Sequence, residues 1–183
     1  MSESLLVRQC APTLAGIKTG SIFCTDYEDR LTLCHEIRRL NRRLGKKGLC
    51  LLPLRCRGGR ALLYLYRPAR LRRDLKDTQA QALLSRAGYL AESPGQCIAR
   101  LSRRLREQPE FPHEIGLFLS YPPEDVRGFI EHNARDFKFS GLWKVYGDEA
   151  SARAAFAKYK RCTSLYTKRW LAGSQLEELA VSA

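Results

Sequence analysis

The sequence contains no apolar run that approaches the ~20 residues needed for a membrane-spanning helix. Its amino terminus, MSESLLVR, lacks the basic flank and the long apolar region of a secretory signal peptide. Both absences predict a cytoplasmic protein with no membrane partner. The hydrophobic fraction of 44% and the charged fraction of 28% are typical of a globular chain. A length of 183 residues predicts a single domain that spans residues 1–183.

Closely spaced metal ligands are also missing. The chain has seven cysteines, an odd number, with no C-x-x-C pair, and only three histidines. This pattern excludes a zinc ribbon or a thioredoxin-type centre and argues against a disulfide framework. Most of the cysteines are expected to be small buried apolar residues in a reducing compartment, and no metal ligand is predicted. A protein that binds metal through scattered cysteines and histidines is retained as a third alternative.

Acidic residues are absent from one long segment. Between Glu36 and Asp74 there is no aspartate or glutamate, whereas 13 of the 32 lysines and arginines fall there. The other 19 basic residues equal the 19 acidic ones, so this segment accounts for the whole net charge of +13. An unneutralised positive potential attracts phosphate, nucleic acid or an acidic partner. The alternative is an ordinary solvated helix face.

The basic segment is predicted to form a helix followed by a hairpin. Apolar residues at i, i+4, i+7 and i+11 from Leu33 indicate an amphipathic helix over 28–44 that ends at Gly45. Two apolar runs flank Gly58-Gly59 and predict a β-hairpin near 49–66 with a primed turn. Its base and its turn would each carry a basic cluster, roughly 20 Å apart. The anion-binding candidates are Lys46, Lys47, Arg67 and Arg70 at the base, and Arg55, Arg57 and Arg60 at the turn.

The rest of the chain predicts further helices and short strands. Helices are expected over 78–87 and 94–107, after Pro122, after Asp148 and after Ser174. Strands are expected over 15–24, 114–120 and 141–148. This order indicates an α/β or α+β fold with about five strands in one mixed sheet, including the hairpin, packed with several helices.

One candidate for chemistry begins at Cys10. The nearby segment GIKTG lacks the G-x-x-x-x-G-K-[ST] pattern of a nucleotide-binding loop. Cys10 precedes Ala11-Pro12, where a short first helix is expected to stop, and such a corner can expose a thiol. His113 stands at the corresponding place before the strand predicted over 114–120. If the two strands are parallel, Cys10 would be a nucleophile or ligand, His113 its base, and Glu114 the residue that orients His113. The alternative is that Cys10 is a core residue and His113 bonds within a turn.

Three separated stretches carry a resemblance to a known family. The segments CAPTLAGIKTGSIF, FPHEIGLFLSYPPEDVRGFI and GLWKVYGD resemble an uncharacterised, mainly firmicute family classed as domain of unknown function 3793. The resemblance extends from Cys10 to about Tyr166. It implies that the three stretches converge on one site, and it adds Lys18, Tyr121 and Lys144 as ligand-binding candidates. The family supplies no activity, and the basic segment lies outside the three stretches.

Three functions are consistent with these observations. The first is a cytosolic protein that binds a small anionic ligand or cofactor near the Cys10 and His113 stretches, where thiol chemistry would be compatible with the residues. The second is a non-enzymatic basic module that binds nucleic acid or an acidic protein, although no helix-turn-helix, zinc-finger or aromatic RNA-binding motif is present. The third is the metal-binding protein. No particular cofactor is identified from the sequence.

Overall fold

The computed structural model describes residues 2–89, 93–108 and 110–182. The chain divides into two compact units. The first contains Met1–Leu71 together with Arg161–Ala183, and the second contains Arg72–Lys160. Across the described ranges, no helix is both long and apolar enough to cross a membrane.

The first unit is built on a three-stranded antiparallel sheet. Its elements are α1 (Glu3–Leu14), β1 (Gly20–Asp26), α2 (Arg30–Leu44), a 3-10 turn (Gly45–Lys47), β2 (Cys50–Arg57), β3 (Arg60–Tyr66), the start of α3 (Pro68–Asp74), the end of α8 (Glu149–Leu171) and α9 (Leu176–Leu179). The strand order is β1-β3-β2. Apolar side chains of α1, α2, α8 and α9 pack with Phe23, Leu51, Leu63 and Leu65 of the sheet to form the core.

The predicted helix and hairpin of the basic segment are confirmed. Helix α2 buries the predicted stripe, and the side chain of Asp29 caps it by accepting from the backbone N–H of Thr32 at 2.7 Å. At the hairpin turn, Gly58 and Gly59 have φ of +55° and +73°, as a type I′ turn requires. Helix α2 ends at Leu44 with Gly45 as its C-cap, as predicted, and a 3-10 turn then leads to Gly48, which is the left-handed residue.

The expected end of the first helix before Pro12 is wrong. Helix α1 continues to Leu14 with Pro12 inside its last turns. A proline there removes one N–H donor from the helix. Burial of the α1 face offsets that loss, because Leu6, Val7, Ala11 and Leu14 are fully buried. Cys10 therefore lies within a packed helix and not at an exposed corner.

The second unit is mostly helical. It contains the end of α3, α4 (Thr78–Arg86), α5 (Pro94–Glu107), α6 (Ile115–Phe118), α7 (Pro123–Glu131), β4 (Phe139–Ser140), β5 (Lys144–Val145) and the start of α8. The helices predicted over 78–87 and 94–107 are confirmed as α4 and α5, and both have side-chain caps. Asp77 accepts from the N–H groups of Gln79 and Ala80, and Ser93 with Gln96 forms a capping box at α5. At α9 the capping box is formed by Gln175 and Glu178, one residue later than predicted.

The prediction of one five-stranded sheet is wrong. Residues 115–118 form the helical turn α6 instead of a strand, because a short apolar run buried on all sides fits either state. The strand predicted over 141–148 shrinks to a two-residue pairing between β4 and β5. The described part of the chain is a mixed α/β structure with separate antiparallel sheets of three and two strands.

Candidate functional site

A groove in the second unit is lined by several charged and titratable side chains. Its volume is about 280 Å³, and it is lined by the ends of α4, α5 and α7 and by residues 110–114. Its basic side chains are Arg86, Arg104, Arg127 and His113. Phe111 and Ile130 contribute exposed apolar surface, with exposed fractions of 42% and 38%. The groove therefore combines cations with an apolar wall, as small-molecule sites commonly do.

Two of the three arginines are paired with carboxylates in this groove. The Nε atom of Arg104 lies 3.2 Å from Oε1 of Glu114, and Nη1 of Arg86 lies 3.6 Å from Oε1 of Glu131. Arg127 has no ion-pair partner among the residues that the structure describes. Its guanidinium is exposed at the surface of α7, so its five donors can reach a ligand.

A smaller cavity adjoins the groove through two shared arginines. Arg86 and Arg127 line both spaces, together with Leu83. The smaller cavity has a volume of about 100 Å³, and its other lining residues are Gln79, Ala82 and Pro123. No carboxylate lines this cavity, in contrast to the groove beside it. The strongest attraction for an anion is therefore expected between Arg86 and Arg127.

Glu114 supports the wall of the groove from inside the unit. Its side chain is buried and accepts a hydrogen bond of 3.0 Å from the hydroxyl of Tyr89. Arg104, its ion-pair partner, also donates to the backbone carbonyl of Ala87 at 2.5 Å. Burial, and then the Glu114 charge, raise the pKa of Tyr89 far above its usual range. The group of Glu114, Tyr89 and Arg104 thus joins α5 to the end of α4 and fixes the position of both.

His113 lies beside this group with its side chain exposed. Its ring meets the ring of Phe129 edge-on, with centroids 4.9 Å apart. Glu114 and His113 are adjacent in sequence, but Glu114 accepts its hydrogen bond from Tyr89 and forms its ion pair with Arg104. Both residues line the groove, His113 with an exposed side chain and Glu114 with a side chain bonded inside the unit.

Asp125 joins two of the segments that carry the family resemblance. Its buried carboxylate accepts from the indole N–H of Trp143 at 2.7 Å and from the backbone N–H groups of Tyr146 and Gly147 at 2.7 and 2.8 Å. These bonds connect EDV at the start of α7 to WKVYG around β5. They also explain why β5 stops at Val145, because the next two backbone donors are directed to a side chain.

The sequence matches the family described as "Protein of unknown function (DUF3793)" over residues 6–180. The chain belongs to this family. The resemblance noted from the three segments is confirmed, and the family description carries no specific activity. No curated protein and no solved structure matches the chain.

Cys10 lies in the core of the first unit. Its side chain is fully buried, and this burial raises the pKa of the thiol far above its ordinary value. Burial also lowers the pKa of the neighbouring Lys18 to about 8. A thiolate nucleophile needs a lowered pKa and access to its substrate. The burial of Cys10 and the raised pKa of its thiol do not favour a nucleophile there, and the triad with His113 and Glu114 stays a prediction.

The other two candidates implied by the family resemblance have structural contacts in the second unit. Tyr121 stacks on Trp143 with ring centroids 4.8 Å apart. The ammonium group of Lys144 donates to the backbone carbonyl of Ala134 at 2.6 Å and lies 4.7 Å from the ring centroid of Phe137. Both residues hold the region around β4 and β5, and neither lines the groove.

The basic candidates of the first unit differ in their availability. Arg67 is buried and donates to the backbone carbonyls of Thr13, Leu14 and Val181 at 2.7–2.8 Å. It also donates to the carbonyl of Lys47 at 3.3 Å, so the hairpin base does bring these two residues together as predicted.

The remaining basic candidates lie nearer the surface. Arg60 lies 3.4 Å from Asp26, and the buried Nε of Arg70 has no hydrogen-bond partner among the described residues. Lys46 and Arg57 are exposed, and Arg55 is half-buried. Lys46 and Arg57 are therefore surface cations, whereas Arg67 is bonded inside the first unit.

Sequence reasoning missed Arg86 and Arg127. Each occupies an ordinary exposed helix position, and only the packing of α4 against α7 brings them together. The one available signal was that Arg127 lies inside the segment PPEDVRGFI, which carries the family resemblance. For the metal-binding alternative, the described residues contain no group of three or more His, Cys, Asp or Glu side chains that could hold an ion.

Proposed function

We propose that this protein binds a small organic anion in the groove of its second unit. The ligand's phosphate or carboxylate group lies between Arg86 and Arg127, and its apolar part lies against Phe111 and Ile130. The observation that carries this proposal is the position of the two arginines, which line both the groove and the carboxylate-free cavity beside it.

The arginine pair at the smaller cavity supports an anion over a neutral ligand, whereas the groove as a whole is lined by three arginines and by Glu110, Glu114 and Glu131. Arginine presents a planar set of donors that matches the oxygen atoms of phosphate and carboxylate groups. Arg127 has no ion-pair partner among the described residues, and the smaller cavity that it shares with Arg86 is lined by no carboxylate. An anion would therefore bind Arg127 directly and would compete with Glu131 for Arg86, which lies 3.6 Å from that carboxylate.

The apolar wall supports a ligand with a ring or short alkyl chain. Phe111 and Ile130 are more exposed than most large apolar residues of the described chain, and both line the groove. Covering such surface contributes roughly 25 cal/mol for each Å² removed from water. Inorganic phosphate would use only the arginines and should bind more weakly than an aromatic phosphate.

The experiment compares three probes by isothermal titration calorimetry: phenyl phosphate, inorganic phosphate and phenol. Phenyl phosphate should bind best, with a Kd below about 1 mM. Arg127→Gln should weaken it at least about tenfold, because a hydrogen bond to a charged group contributes roughly 1.5–3 kcal/mol. Arg135→Gln is the matched control, since Arg135 is an exposed arginine of the same unit that lines neither cavity.

The proposal is supported if the order is phenyl phosphate, inorganic phosphate, phenol and if only Arg127→Gln reduces affinity. It is overturned if phenyl phosphate does not bind. Equal losses in the two variants would also overturn it, because they would indicate a general charge effect. Tight binding of phenol would show an apolar site that does not select anions.

A further inference from the structure

The first unit has a strongly basic helix face that the groove does not use. Helix α2 buries Leu33, Ile37, Leu40 and Leu44 against the core. The opposite side of the helix carries exposed basic side chains and no exposed acid beyond its first turn: Arg38, Arg39 and Arg42, continued by Lys46 in the 3-10 turn. We name these four residues the α2 basic row.

The cations of the α2 basic row are not neutralised within the protein. Among the residues that the structure describes, Arg38, Arg42 and Lys46 have no ion-pair partner, and Arg39 reaches Glu3 only at 4.0 Å. Arg43 on the same helix behaves differently, because it is hydrogen-bonded to Glu3 and Glu177. Apart from Arg39, which shares Glu3 with Arg43, the row is therefore a positive surface outside this salt-bridge network.

The spacing of the α2 basic row forms a line of charge. Arg38, Arg42 and Lys46 follow one another at intervals of four residues, which corresponds to about 6 Å along an α-helix. The whole row thus extends over about 12 Å. A duplex presents one phosphate for each ~1.7 Å of its axis, so each cation of the row can face a phosphate.

We propose that the α2 basic row binds the phosphate backbone of duplex DNA, without sequence selectivity. Protein partners are usually held by buried aromatic or apolar anchors at the centre of an interface. The row contains none, and the exposed Leu31 of the same helix lies two turns before Arg38. A surface that offers only charge is better suited to binding a polyphosphate backbone than to binding a folded acidic protein.

The same surface selects against single-stranded nucleic acids. Single-stranded chains are held by stacking of bases on aromatic side chains, and the row has no aromatic residue. Duplex RNA presents its phosphates in A-form geometry and is therefore included as a competitor in the test. The proposal is independent of the groove in the second unit, since it uses none of its residues.

The salt dependence of binding gives a quantitative expectation. Four cations that each face a phosphate predict a slope of about −3.6 for log K against log [salt]. Between 50 and 200 mM salt, the affinity of the wild type should then fall about 150-fold. Removing two of the four cations should reduce the slope to about −1.8, and the fall over the same range to about 12-fold.

The test measures fluorescence anisotropy of a labelled mixed-sequence DNA duplex across that salt range. The variant is the double substitution Arg38→Gln with Arg42→Gln. The matched control is Arg103→Gln with Arg135→Gln, which removes two exposed arginines of the second unit and changes the net charge equally. Circular dichroism confirms that both variants remain folded, as expected for exposed helix and loop positions.

The proposal is supported if the wild type and the control give a slope near −3.6 and the α2 variant gives half of it. It is overturned if the wild type does not bind duplex DNA at 50 mM salt or if both variants lose slope equally. Equal or tighter binding of single-stranded DNA, or of duplex RNA, would overturn the choice of duplex DNA. Competition by poly-glutamate as effective as that by duplex DNA would indicate an acidic protein partner instead.

Discussion

Replacing Arg67 by methionine should destabilise the first unit. The guanidinium donates three hydrogen bonds of 2.7–2.8 Å to backbone carbonyls and a fourth of 3.3 Å to Lys47. Hydrogen bonds that involve a charged group contribute about 1.5–3 kcal/mol each, so the three short bonds amount to roughly 4.5–9 kcal/mol. Methionine fills similar space and removes the cost of dehydrating a charge. The expected net loss is therefore about 3–5 kcal/mol.

The assay is urea unfolding followed by far-UV circular dichroism at neutral pH. A loss of this size corresponds to a fall in Tm of about 6–20 °C for a chain of this length. Arg57→Met is the matched control, because Arg57 is exposed and such substitutions change stability by about 0.5 kcal/mol or less. If Arg67→Met does not fold, Arg67→Lys keeps the charge but loses the forked geometry and should be intermediate. A change below about 1 kcal/mol in Arg67→Met would refute the reasoning.

Three further predictions concern other parts of the chain. Asp125→Ala leaves three donors without an acceptor, including the indole of Trp143. This substitution should lower the free energy of unfolding by about 3–4 kcal/mol and shift the tryptophan emission. Unchanged stability and emission would contradict the prediction. Hydrogen bonds from Arg43 lower the pKa of Glu177 below its unfolded value, so their stabilisation is complete above about pH 4.3 and is lost as the pH falls. Glu177→Gln should therefore reduce the difference in unfolding free energy between neutral and acidic pH, and an unchanged difference would argue against the pair. Iodoacetamide should alkylate the exposed Cys24 well before the three buried thiols, and early labelling of a buried thiol would indicate local opening.

The elements that the sequence predicted well are those set by local chemistry. The hairpin follows from Gly58-Gly59 between two apolar runs, and α4 and α5 begin where Asp77 and Ser93 accept from backbone donors. These signals act over two to four residues and need no distant partner. The same holds for Asp148 at the start of α8.

The incorrect predictions concern elements that are determined by tertiary packing, which a local sequence pattern does not reveal. The run EIGLFLS is apolar throughout, so its period does not distinguish a strand from a buried helix. Close packing around Gly116 decides between strand and helix, because a Cβ there would lie 2.7 Å from Val126 and 3.0 Å from the ring of Tyr121. Pro12 was expected to end α1, but burial of the helix face outweighs the missing hydrogen bond.

The candidate site could be predicted only in part. His113 was selected for its chemistry and does line the groove, whereas Cys10 was selected for an exposure that burial in α1 removes. Arg86 and Arg127 lie 41 positions apart and carry no spacing signal. Arg67 looked like a surface cation, because no local pattern shows that four carbonyls surround it.

Because Asp125 bonds to both, two segments that are distant in sequence can be exchanged between family members only together. One carboxylate fixes both the start of α7 and the residues from Trp143 to Gly147, so neither segment keeps its conformation without the other. A chimaera that takes only one of them from another family member would leave either a buried carboxylate without donors or donors without an acceptor. Any recombination or loop graft in this region should therefore move residues 122–147 together.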